Sequence, residues 1–133
     1  MTPKDFIKTW FASIDALNFD QLKNMIADNH SFQNPMTPKP GNKEMHMGMM
    51  QNMTSAFDGK HTLDVILAEG EWVCARGRWS GKHTGEFQGV AATGKNVEFS
   101  WIDVMHIVND KVVEEYFELN PMSIMQQIGA VPT

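Results

Sequence analysis

The stretch VEFSWIDVMHIVNDKVVEEYFEL, residues 97–119, decides the fold that the sequence predicts. Every second residue from 97 to 107 is apolar, with the exception of Asp103. Such alternation is typical of a β-strand with one buried face. The second half of the stretch repeats the pattern, and Glu115 is the single charge in the row formed by Val113, Phe117 and Leu119. The sequence therefore predicts a β-hairpin that carries two carboxylates on its buried face.

The length of the turn decides whether these two carboxylates share a face. A three-residue loop over 108–110 sets Asp103 opposite Glu115. A two-residue loop over 109–110 instead sets Asp103 opposite Tyr116 and sends Glu115 to the other face. The Asn and Asp of this loop tolerate the left-handed backbone that tight hairpin turns need. We favour the three-residue loop, because it keeps both apolar rows on one face.

Helical patterns precede the strands. Thr2 and Pro3 are typical of a helix start, and an apolar face at helical spacing continues to Leu17. A shorter helix is predicted with Asp20 as its N-cap, and a third over about 43–57. Between these two helices the sequence predicts only a brief extended piece at 31–34.

The apolar period changes to two near Gly59, and a run of predicted strands extends from there to Leu119. Asn120 and Pro121 then predict a last helix that ends near Gly129. Helices followed by an antiparallel meander indicate an α+β fold.

Composition narrows the range of partners. The net charge of −5 comes without any Lys/Arg run, which argues against nucleic acid and anionic membranes as partners. The N-terminal segment lacks the apolar core of a signal peptide, and no apolar run approaches the length of a membrane span. Cys74 is the only cysteine, so that no internal disulfide can form. We expect a cytoplasmic protein.

Asp103 and Glu115 are the strongest candidates for chemistry. Two carboxylates on one apolar face cannot both ionise cheaply, and a carboxylic acid beside a carboxylate is suited to proton transfer. Alternatively, a Lys or Arg neutralises them, or both reach an open edge of the sheet. His83, on a predicted loop, is either a surface residue or an acid–base group at the rim of a cavity. No two of the five histidines stand at ligand spacing on one element, so we predict no metal centre.

Several motifs resemble the SnoaL-like polyketide cyclase family. They are Gly81-Lys-His-Thr-Gly-Glu-Phe-Gln-Gly, Thr93-Gly-Lys, Asp110-Lys-Val-Val-Glu-Glu-Tyr and Met125-Gln-Gln-Ile-Gly. The resemblance implies a cone-shaped α+β domain over residues 1–133, in which a strongly curved antiparallel sheet wraps around N-terminal helices and encloses a pocket. It also implies a homodimer and an intramolecular aldol cyclisation that needs neither metal nor cofactor.

The chain departs from the family pattern at the residues that such cyclases use. Glu115 stands where relatives have His before the strand aromatic, and Phe117 stands where many have Asp. Gln33 replaces another frequent His, although the Asn34-Pro35 that follows is retained. These departures disfavour aldol cyclisation of a polyketide but leave the pocket in place.

We therefore expect a cofactor-independent isomerase, cyclase or dehydratase that acts on a small hydrophobic or polycyclic molecule. Asp103 would be the general acid or base, and Glu115 the partner that tunes its pKa. A non-catalytic binding domain and a dimeric interaction module are the alternatives. The residues expected to contact the small molecule are Trp10, Asn34, Met49, Met53, His83, Phe99, Trp101 and Phe117.

Overall fold

The computed structural model describes all 133 residues of the chain. Its helices and strands follow the order α1 (Pro3–Asp15), α2 (Phe19–Met25), β1 (Ile26–Gln33), α3 (Lys43–Ala56), β2 (Phe57–Glu69), β3 (Trp72–His83), β4 (Asn96–Val108), β5 (Lys111–Glu118) and α4 (Pro121–Gln127). The five strands form one open sheet in the order β1-β5-β4-β3-β2. The α+β class predicted from the sequence is confirmed.

The sheet is mixed rather than wholly antiparallel. Strands β2 to β5 form an antiparallel meander, whereas β1 pairs with β5 in parallel. The sequence predicts only a brief extended piece at 31–34, which is shorter than β1. Strand β1 was missed because Asp28 and Asn29 are of types depleted in strands, and its pairing with β5 overrides that preference.

The turn between β4 and β5 contains two residues, so the prediction of a three-residue loop was wrong. Asn109 and Asp110 both have positive φ, 53° and 57°, as a tight two-residue hairpin requires. A bulge at Val113 then adds one residue to β5, because Ile107 pairs with Val112 while His106 pairs with Glu114. A bulge shifts the alternation by one residue. Glu115 thereby returns to the face of Asp103, as predicted, by a route that the sequence did not reveal.

Helix α1 packs on the inward face of the sheet. Thr2 and Asp5 form the capping box that begins it, and Ala16 ends it. The Phe11 ring stacks on the Trp101 ring of β4, with 4.5 Å between their centroids. The inward face of α1 is buried and consists of Phe6, Ile7, Trp10 and Phe11. Helix α1 thus forms one wall of the interior.

The other helices begin and end near the predicted positions, with one correction. Asn18, not Asp20, caps α2, since its side chain accepts a hydrogen bond from the Gln21 N–H. Asn120 caps α4, as predicted, and Gly129 follows the end of that helix with a φ of 81°. No helix has the length and apolar character needed to cross a bilayer.

Candidate active site

A cavity of about 690 Å³ lies between α1, α3 and the inward face of the sheet. Its walls are mainly apolar and aromatic, with a few polar side chains, which is the usual character of a small-molecule site. Seven of the site residues predicted from the sequence line it: Trp10, Asn34, Met49, Met53, Phe99, Glu115 and Phe117.

The other three predicted residues do not line the cavity. Trp101 is buried beneath Phe11, and Asp103 lies behind the wall. The prediction that His83 lies on a loop at the rim was wrong, since the residue is the last of β3 and is fully buried. Its Nδ1 accepts a hydrogen bond from the Thr93 N–H at 3.2 Å. Its ring packs against Phe57, which indicates a structural role. These positions separate the predicted set into cavity residues and the layer behind them.

Asp103 and Glu115 lie on the same buried face as diagonal neighbours. Asp103 pairs with Phe117 and Glu115 with Met105, and the two acids are 0% and 2% exposed. No Lys or Arg lies within salt-bridge distance of either carboxyl, and the nearest nitrogen that could carry charge is His46 Nδ1, 3.9 Å from Glu115 Oε1. Neutralisation by a cation and escape to a sheet edge are both excluded. The two carboxyl groups are therefore buried side by side without a Lys or Arg to balance their charge.

Burial determines how this pair ionises. Burial raises the pKa of Asp103 from 3.8 to about 7. Burial, and next the charge of Asp103, raise the pKa of Glu115 well above its usual value. Two such groups release their protons as a coupled pair. Because Glu115 is the member that lines the cavity, a neutral carboxylic acid faces the interior near neutral pH.

Two buried histidines adjoin Glu115, and the sequence did not point to them. His30 Nδ1 donates to the Val112 carbonyl at 3.0 Å, so its Nε2 is the acceptor for His46 Nδ1 at 2.8 Å. The pKa of His46 is lowered well below its usual value by burial and then by His30. The potential metal-ligand atoms of His30, His46 and Glu115 lie within 4.8 Å of one another, so this set could hold a metal ion. In the structure the two imidazole rings are hydrogen-bonded to each other.

A second polar pair lies elsewhere on the cavity wall. His61 of β2 and Asp15 at the end of α1 both line the cavity, and His61 Nδ1 donates to Asp15 Oδ1 at 2.7 Å. The sequence carried a signal for His61, since it stands two residues before Leu63 in a strand of period two. Its partner could not be foreseen, because 46 residues separate the two.

Comparisons with known proteins agree with this architecture. The family model for SnoaL-like polyketide cyclases matches residues 4–128. AclR, a proposed hydroxylase from Streptomyces galilaeus, is 21% identical, and the match has a TM-score of 0.89 and covers 98% of this chain and 83% of AclR. IdmH, a proposed polyketide cyclase from Streptomyces antibioticus, is 22% identical, and the match has a TM-score of 0.86 and covers 97% of this chain and 99% of IdmH.

A third solved structure is a proposed SnoaL-like polyketide cyclase from Jannaschia sp. CCS1, which is 16% identical to this chain. Its match has a TM-score of 0.87 and covers 98% of this chain and 93% of the Jannaschia protein. At these identities the structural likeness shows the fold alone. No functionally curated protein matches the chain significantly.

Proposed function

Because the chain belongs to the SnoaL-like polyketide cyclase family, we propose that it binds a hydrophobic small molecule in the cavity and converts it by acid–base chemistry. The reaction would be an isomerisation, cyclisation or dehydration, and the side chains of the cavity would suffice for its proton transfers. The single observation that carries the proposal is the buried carboxyl of Glu115 on an apolar wall.

Glu115 takes the role of the reacting acid in this proposal. It lines the cavity, whereas Asp103 lies behind it, and the charge of Asp103 raises the pKa of Glu115 and so keeps the proton on Glu115. A neutral carboxylic acid in an apolar site can donate a hydrogen bond to a carbonyl oxygen and stabilise the negative charge that develops there. This arrangement exchanges the roles that the sequence suggested, in which Asp103 was the acid–base group and Glu115 its partner.

Proton exchange at carbon provides a test that needs no knowledge of the natural substrate. The probe is 2-tetralone, an aromatic ketone with acidic hydrogens beside its carbonyl group, and NMR follows its deuteration in D₂O. We expect the wild-type protein to accelerate exchange and Glu115→Gln to slow it by about 100-fold or more. Glu118→Gln is the matched control, since it removes an exposed carboxylate from the same strand.

The competing function is binding without catalysis, which the mostly apolar lining of the cavity favours. Quenching of tryptophan fluorescence reports binding, because Trp10 lies in the cavity wall. Equal exchange by wild type and Glu115→Gln contradicts the proposed role of Glu115. Tight binding of 2-tetralone with exchange at the solvent rate supports the binding function instead.

A further inference from the structure

We infer that His61, held by Asp15, is the proton-accepting catalytic residue of the cavity, and that it takes a proton from a substrate carbon beside a carbonyl group. This inference rests on the proposed function and adds the base that Glu115, as an acid, would need. Neither His61 nor Asp15 belongs to the β4–β5 hairpin, which carries the proposed acid Glu115.

The hydrogen bonds of Asp15 determine the tautomer of His61. Asp15 Oδ1 accepts from His61 Nδ1 at 2.7 Å, and Asp15 Oδ2 accepts from the His61 backbone N–H at 2.9 Å. Carboxylate oxygens accept hydrogen bonds, so Nδ1 carries the ring proton and Nε2 keeps its lone pair. Nε2 has no partner in the chain, although the residue lines the cavity. A carboxylate on Nδ1 also stabilises the imidazolium that forms when Nε2 takes a proton.

The His61 ring is fixed as well as oriented. Phe11 and Trp101 lie against it, with ring centroids at 4.8 and 5.9 Å, and its side chain is 11% exposed. Lys60 Nζ donates to the main-chain oxygen of Asp15 at 2.9 Å, which ties the end of α1 to β2. Proton transfer requires the accepting atom to stay at a fixed position, and these contacts hold the His61 ring in place.

The other histidines near the cavity are less suitable as proton acceptors. Burial lowers the pKa of His46, so that it resists protonation, and its Nδ1 is engaged by His30. Neither His30 nor His83 lines the cavity. His61 is therefore the one histidine that joins access to the cavity, a lone pair and a carboxylate partner.

The proton transfers balance in a single step. His61 Nε2 takes the proton from the carbon beside the carbonyl group, and the C–H electron pair becomes the carbon–carbon double bond of an enol. The carbonyl oxygen takes the proton of Glu115. This leaves an imidazolium paired with Asp15 and a Glu115 carboxylate, with no change in total charge. Return of the protons at the same carbon gives exchange, and return at another carbon gives isomerisation.

The test uses the whole protein and 2-tetralone exchange, with two substitutions of His61. His61→Asn keeps a donor toward Asp15 but removes the base, and we expect the exchange kcat to fall about 100-fold or more with little change in KM. The exchange kcat of His61→Ala should fall as far, and added imidazole should restore activity. A merely structural role of His61 would not produce this rescue. Asp15→Asn, which alters a positioning residue, should lose about 10-fold or more.

The outcomes separate this inference from the proposed function. If His61→Asn exchanges 2-tetralone at the wild-type rate while Glu115→Gln loses exchange, the role of His61 is overturned and the proposed function stands. Loss in His61→Ala without rescue by imidazole also overturns it. Exchange at the solvent rate in the wild type contradicts both proposals. Independently of turnover, ¹⁵N NMR must show the proton on Nδ1 of His61, and a proton on Nε2 of the neutral ring overturns the inference.

Discussion

Asp103→Asn is the substitution with the clearest effect on stability, because it removes a buried charge while nearly keeping the shape of the side chain. Below the ordinary pKa of 3.8 both side chains are neutral, and the two proteins should be about equally stable. As the pH rises, the unfolded wild-type chain loses its Asp103 proton before the folded protein does. A folded-state pKa raised to about 7 therefore means that stability is lost as the pH rises from 4 to 7.

The size of the effect follows from the two pKa values. They are 3.8 and about 7, a difference of about 3, and each unit of pKa corresponds to about 1.4 kcal/mol. The free energy of unfolding of the wild type should fall by about 4 kcal/mol over this range on account of Asp103. The variant lacks this loss, and its Glu115 is also relieved of the Asp103 charge. At pH 7 the variant should be more stable than the wild type by about 4 kcal/mol or more.

Urea unfolding at several pH values between 4 and 7 measures the difference, with the m-value as a check that both proteins unfold in the same way. Glu98→Gln is the matched control, because it removes an exposed carboxylate from β4 and should not change the pH dependence. Parallel pH curves for wild type and Asp103→Asn would refute the reasoning, since the Asp103 carboxylate would then be no costlier in the folded protein than in the unfolded one.

Three other expectations concern the hairpin and the outer face of the sheet. Asp110→Gly should raise the unfolding free energy by about 0.5–1 kcal/mol in urea titrations, because glycine adopts the positive φ of this turn without strain, and no gain would contradict the turn geometry. Deletion of Val113 removes the bulge, but Glu114 then follows Val112 directly and keeps His106 as its partner, so Glu115 should keep its face and the unfolding free energy should change by only about 1 kcal/mol in the same assay; a loss of about 3 kcal/mol or more would contradict the register. The homodimer stays a prediction: Trp72 and Ile102 are 40% and 45% exposed on the outward face, so light scattering should give about twice 15.0 kDa, Ile102→Lys should lower that mass, and 15.0 kDa at every concentration would contradict the dimer.

Local patterns of the sequence were sufficient for most of the fold. The alternation around Asp103 predicted its burial, and Pro3 and Asn120 predicted the helix starts, because periodicity and capping depend on near neighbours. The bulge at Val113 could not be predicted, since it reflects the best packing of two strands against the interior. Strand β1 was missed for a similar reason, because its partner β5 is remote in sequence.

The candidate site was predictable only in part. Both carboxylates were found because a charge in an apolar row stands out in any sequence. The depth of each one was not, and only the folded chain shows that Glu115 lines the cavity while Asp103 lies behind it. His46 escaped notice because its partner His30 comes from another segment of the chain, and the strand pattern that includes His61 gave no sign of its partner Asp15. Spacing within one element carries no information about such contacts.

The central claim is that Glu115 presents a neutral carboxyl to the cavity near neutral pH. A ¹³C NMR titration of the Glu115 side-chain carboxyl, assigned by comparison with Glu115→Gln, tests it most directly. The structure predicts a midpoint well above the ordinary value of 4.5, and a second inflection of the same signal as Asp103 titrates. A single midpoint near 4.5 would mean that Glu115 is an ordinary carboxylate at pH 7, and the acid–base account of this cavity would fail.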